Sequence, residues 1–167
     1  VVVYYPLAHM VWGEGGLLAA IGSVDFAGGD VVHISSGITA LTLAIILGRR
    51  RGYEVMTYRI HNIPFVVLGA TILWFGWFGF NGGCIRPGDP ALSKVFLNTC
   101  MGAAYGTLGA LCSNLLLKRK GGYLISLFNG VLSGLVSITA LSAYCSFWAA
   151  MIVGFVAGIL ADLTSVL

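Results

Sequence analysis

Five stretches of this chain run almost without charge for the length a helix needs to cross a bilayer: residues 31–48, 64–83, 91–117, 121–139 and 144–167. At 1.5 Å of rise per residue, about 18 or more apolar residues cover the roughly 30 Å hydrocarbon layer, so each stretch predicts a membrane span. The pattern therefore describes an all-α chain, a polytopic bundle of about five complete spans. Residues 49–62 form the only long polar connection and leave one span before it and four after it.

Composition agrees with that pattern. Of 167 residues, 58% are hydrophobic and 9% are charged, against roughly 25% charged in an ordinary soluble domain, and the mean hydropathy is +0.94. The net charge of +3 follows the topology: Arg49, Arg50, Arg51 and Arg59 fall in one loop, and Lys118, Arg119 and Lys120 in another. By the positive-inside rule both loops, 49–63 and 118–120, are cytoplasmic. Glu14, Asp25, Asp30 and the 84–94 loop then face outward. A nucleic-acid partner would need these charges gathered on one soluble face, so none is expected; the partner that composition implies is the lipid bilayer. The chain begins in VVVYYPLAHMVW, without the basic region and cleavage site of a signal peptide, and stops at Leu167 without a polar tail. The expectation is an internal segment of a longer protein.

Small residues recur where helices would meet. Gly102 and Gly106, Gly130 and Gly134, and Gly154 and Gly158 are each four apart, a spacing that lets membrane helices approach backbone to backbone. Glycine is also common in spans for no such reason, and spacing alone does not separate the two readings. The four cysteines, Cys84, Cys100, Cys112 and Cys145, lack the C-x-x-C spacing of a metal site. They read as packing residues, with a Cys84–Cys145 disulfide left open.

Polar groups at membrane depth are costly and therefore informative. Asp25, followed by Phe26-Ala27-Gly28-Gly29, stands where the chain turns into the first span. It reads first as a cap for free backbone N–H groups, and second as an attractor of cations. His33 lies eight residues later, about 12 Å deeper at helical rise. Helical spacing puts Ser36, Gly37, Ala40 and Ala44 on its side, a face open enough for a narrow channel; a neutral histidine bonded between helices is the plainer reading. The phrase LWFGWFGFNGG, 73–83, brings five aromatic residues into seven positions. With Trp12 it would make a cation-attracting wall, although Trp74 and Trp77 read more simply as an interfacial belt. No G-x-S-x-G, H-E-x-x-H, phosphate loop or acid pair is present, so neither an enzyme nor a cofactor or metal is expected.

The phrases AHMVWGEGG, DFAGGDVVHISSG, HNIPFVVLGATILWFGWFGFNGG and FLNT, in this order, resemble the ammonium transporter family (Amt/Mep/Rh), closest to its Amt/Mep branch. The likeness continues through SGLVSIT and MIVGFVAGILADL. It implies an eleven-helix protein of two inverted halves, assembled as a homotrimer in the plasma membrane with a pore in each subunit. On that map residues 1–48 end the first half, 49–63 link the halves, and 64–167 are part of the second. The resemblance also assigns roles. His33 would be the first of two pore histidines, the second lying outside this chain. Phe80 would be the inner-facing ring of a phenylalanine pair at the outer gate, Trp12 the vestibule tryptophan, and Asp25 the aspartate that organises the outer site.

Departures accompany the likeness. The family's serine after FN-x-G is Cys84 here, a weaker hydrogen-bonding group. Ile60, Cys100 and Ala140 stand where the family carries proline, histidine and proline. The function implied is ammonium transport: recruitment outside, loss of a proton, and passage of ammonia through a histidine-lined apolar pore. An ammonium sensor on the same fold, or a divergent or non-functional member, is the alternative.

Overall fold

A computed structural model of the chain describes residues 1–53, 55, 61–117 and 123–165. Arg59, Ile60, Lys118, Arg119, Lys120 and Leu167 lie outside the described residues. Among the described residues seven helices follow one another: α1 (Tyr4–Trp12), α2 (Leu17–Ala20), α3 (Gly29–Leu47), α4 (Ile63–Gly82), α5 (Ala91–Leu116), α6 (Tyr123–Thr139) and α7 (Phe147–Thr164). The first part of α3, Gly29–Ile34, is a π-helix. No strand occurs among the described residues.

Local chemistry sets the starts of these helices. Asn62 caps α4, its Oδ1 accepting from the Phe65 N–H at 3.0 Å, with Pro64 in the first turn where no N–H is missed. Asp89 accepts from the Ala91 N–H at 2.8 Å as α5 begins, and Ser146 caps α7 through the Ala149 N–H. Each apolar run of the sequence falls in one helix. Helices α3, α4, α5 and α7 are long and apolar enough to span a membrane; α6, with 17 residues, is shorter.

The centre of the molecule is the three-helix unit α5–α6–α7, and all three glycine pairs lie in it. A Cβ on Gly106 would strike the Gly130 carbonyl, one on Gly134 or Gly154 the Gly102 carbonyl, and one on Gly158 the Gly106 carbonyl. Backbone therefore packs on backbone, and the pairs are contact surfaces rather than chance composition. Buried polar groups are tied across the same unit: Asn98 Nδ2 donates to the Ser142 carbonyl at 2.9 Å, and the Ser126 hydroxyl to Asp162 Oδ1.

Helices α3 and α4 lie against this unit and leave wide apolar faces uncovered, Ile38, Leu41, Ile45, Phe65, Ile72 and Phe75 among them. Surface of this kind has no stable place in water and belongs in lipid or against further protein. All four cysteines are free thiols, so Cys84 and Cys145 are not joined.

Candidate functional site

The site is built on the turn that starts α3. Asp25 is buried, and its carboxylate accepts four backbone N–H groups: Gly28 at 2.8 Å and Gly29 at 2.7 Å on Oδ1, Asp30 at 2.8 Å and Val31 at 3.0 Å on Oδ2. These are the donors that a helix start leaves without intrahelical partners, so the charge is met by the helix itself. The turn can close this tightly because Gly28 sits at φ 101°, a region that side chains with a Cβ avoid. Gly29 rests on Ala140, where a Cβ would collide. Two further bonds fix the turn to its neighbours: the Phe26 N–H donates to the Ala140 carbonyl at 3.0 Å, and Trp12 Nε1 to the Asp25 carbonyl at 2.8 Å.

Beyond the turn, the His33 N–H reaches back five residues to the Gly28 carbonyl at 3.1 Å, while the Val32 N–H shares that acceptor at 2.8 Å. This wide turn rotates the remainder of α3 relative to the course of a regular α-helix. Of the small face expected beside His33, Ser36 and Ala40 line a separate groove against Val1–Tyr4. The histidine ring instead meets bulk. It stacks on Trp77 at 5.4 Å and 15°, and on Phe80 at 5.6 Å and 27°, and the two aromatic rings are themselves 5.3 Å apart.

Trp77 is held in that position by a hydrogen bond from Nε1 to Thr139 Oγ1 at 3.0 Å. Trp74 and Trp77 are half-buried and pack against Ala103, Val131 and Leu135. The stacking of Trp77 on His33 is what sequence reasoning missed. The spacing of three between Trp77 and Phe80 on a helix already placed the two on one face.

A void nevertheless remains beside the histidine. A cavity of about 250 Å³ is lined by His33, Asp30, Gly29, Val136, Ser137 and Ala140. The Nε2 atom of His33 is buried and has no hydrogen-bond partner. A buried ring nitrogen of this kind is rare, and it can exchange a hydrogen bond with a small guest.

Of the sequence-selected residues, the structure gathers Asp25, Trp12, His33 and Phe80 around one turn. Cys84 lies within four residues of Phe80, its thiol donating weakly to the Phe80 carbonyl at 3.7 Å. Burial pushes the Cys84 thiol up from its ordinary pKa, and the Asp25 carboxylate adds to the shift. A larger apolar groove, about 990 Å³, lies between α4 and α5 and includes Phe75, Gly79 and Phe96 but no part of this cluster.

Comparison with known proteins gives a consistent picture. The family model described as Ammonium Transporter Family matches residues 1–166. Ammonium transporter Amt1 of Archaeoglobus fulgidus is 42% identical over 158 residues, 94% of this chain and 39% of that protein. The ammonium transporter of Bacillus subtilis is 40% identical over 156 residues, 93% of this chain and 38% of its own length. Among solved structures, Saccharomyces cerevisiae Mep2 superposes with a TM-score of 0.83 at 37% identity, covering 99% of this chain and 39% of that one. A structure described as a sensor Amt protein gives 0.87 at 38% identity, covering 98% and 43%. The chain thus spans about two-fifths of the length of the relatives it matches.

Proposed function

We propose that this chain, which belongs to the Ammonium Transporter Family, forms part of a pathway that carries ammonium across the plasma membrane. The observation that supports this best is the buried, unpartnered Nε2 of His33, a residue that lines a cavity and stands on a membrane-length helix. Ammonium is strongly hydrated, and taking the bare ion into a medium of low dielectric carries a large desolvation cost. The pathway answers by separating the tasks. Trp12, bonded to the turn organised by Asp25, and Cys84, just after α4, receive the ion on the outer side, where a ring face adds about 0.5–2 kcal/mol of attraction. Near Phe80 the ion loses a proton. Neutral ammonia then passes His33, whose imidazole can accept from it or donate to it without carrying charge.

Asp25 acts in this scheme through the turn, because its four N–H partners occupy both oxygens. The same reading has loops 49–63 and 118–120 on the cytoplasmic side and three copies of the complete protein forming the assembly. The test is His33→Ala in the full-length protein, reconstituted in proteoliposomes. Ammonium or methylammonium flux falls if the reading holds; unchanged flux and selectivity would remove His33 from the pathway. Ammonium binding without flux in the unsubstituted protein would favour a sensor.

A further inference from the structure

We propose that Asp30 is a cation-binding residue at the outer end of the cavity beside His33, where ammonium rests before it gives up its proton, a role distinct from that of Asp25. The proposal rests on the transport reading for its ligand, ammonium, but its chemistry stands on Asp30 itself. The two acids lie five residues apart and their surroundings are opposite. Asp25 has its charge met by four N–H groups. Asp30 receives one hydrogen bond, from the Ser23 hydroxyl to Oδ2 at 2.8 Å, and its Oδ1 has no hydrogen-bond partner or counter-ion among the described residues.

Position gives that free oxygen its meaning. Asp30 lines the same 250 Å³ cavity as His33. It also lines a neighbouring cavity of about 480 Å³ with Leu7, Leu18, Ile21 and Ser23, so that Asp30 and Ile34 are common to both walls. The remainder of the lining is mostly apolar: Gly29, Val136 and Ala140 with Ser137 on one side, Leu18 and Ile21 on the other. A half-buried carboxylate in such a wall, at the outer start of a membrane-spanning helix, gives up part of its hydration and favours a positive partner. A monovalent cation of ammonium's size supplies both the charge and a hydrogen-bond donor for Oδ1. Ser23 holds the other oxygen, which fixes the direction of the free one.

The substitution that isolates charge is Asp30→Asn, since its side-chain oxygen still accepts from Ser23. The full-length protein is titrated with ammonium chloride in detergent, with the fluorescence of Trp77 as the signal, because its ring lies 5.4 Å from that of His33; flux is measured in proteoliposomes in parallel. At an effective dielectric near 20, loss of one nearby charge weakens binding on the order of tenfold. Asp30→Asn is expected to raise the dissociation constant by that factor, and Asp30→Glu, which keeps the charge, to restore most of it. Equal affinity in the unsubstituted and Asn proteins overturns the proposal, as does an unsubstituted protein that binds no ammonium. Because binding is read apart from flux, a protein that binds through Asp30 without conducting supports this inference while overturning the transport reading.

Discussion

The turn at Asp25 offers the sharpest test of how sequence chemistry shapes this site. Replacing Asp25 by asparagine keeps the shape of the side chain and one of its oxygens. The remaining oxygen can serve either the Gly28 and Gly29 pair or the Asp30 and Val31 pair of N–H groups, now held at 2.7–2.8 Å and 2.8–3.0 Å. The amide nitrogen then points its own hydrogens at the other pair. Two charge-assisted bonds are lost, each worth about 1.5–3 kcal/mol, so the turn loses at least about 3 kcal/mol before the donor–donor repulsion is counted. At 1.4 kcal/mol per tenfold, amides of residues 28–31 should exchange with deuterium at least about a hundredfold faster through local opening.

Hydrogen exchange read by mass spectrometry on a peptide covering residues 25–33 measures this directly. The alternative, in which Asp25 serves mainly as an attractor of cations, predicts unchanged protection and weaker ammonium binding only. Exchange rates equal to those of the unsubstituted protein would refute these cap energetics.

Other substitutions probe the rest of the frame. Gly158→Val drives a side chain into the Gly106 carbonyl, so α5 and α7 must separate, at a cost of about 1–3 kcal/mol; Gly76→Ala, with nothing within 4 Å, is the control, and unfolding in detergent should distinguish the two. Trp77→Phe keeps a ring against His33 but loses the Thr139 bond, costing about 1 kcal/mol; equal thermal stability would show that bond to be unimportant. With its pKa raised, the Cys84 thiol stays protonated at neutral pH, and since the thiolate is the reactive form, maleimide labelling should be slower than that of a free thiol at pH 7.5 and accelerate at higher pH; labelling as fast as the free thiol would contradict the burial. Ser126→Ala leaves the buried Asp162 carboxylate without one donor, and a loss of about 1.5–3 kcal/mol should appear as earlier unfolding.

The membrane helices, the glycine contacts and the Asp25 cap were legible in the sequence because each depends on spacing within one segment. Apolar runs of membrane length leave few alternatives, four-residue glycine pairs mark the backbone contacts of α5, α6 and α7, and an acid ahead of a glycine pair matches the free donors of a helix start. The surroundings of His33 were not legible, and the reason is geometrical. Helical spacing put Ser36 and Ala40 on the side of His33, but it could not say that Trp77 and Phe80 of α4 would stack on the ring, or that the π-turn at Gly29–Ile34 would set the angle at which the ring leaves the Asp25 turn. Nothing in GDVVHI announces that turn, because its stability comes from outside: Asp25 draws in four N–H groups, Ala140 presses on Gly29, and Trp77, fixed by Thr139 sixty-two residues away in sequence, offers its face to the ring. A local pattern can therefore locate the histidine on its span, whereas the void beside it is walled from more than a hundred residues away, by Val136 and Ser137 of α6 and Ala140 just after it.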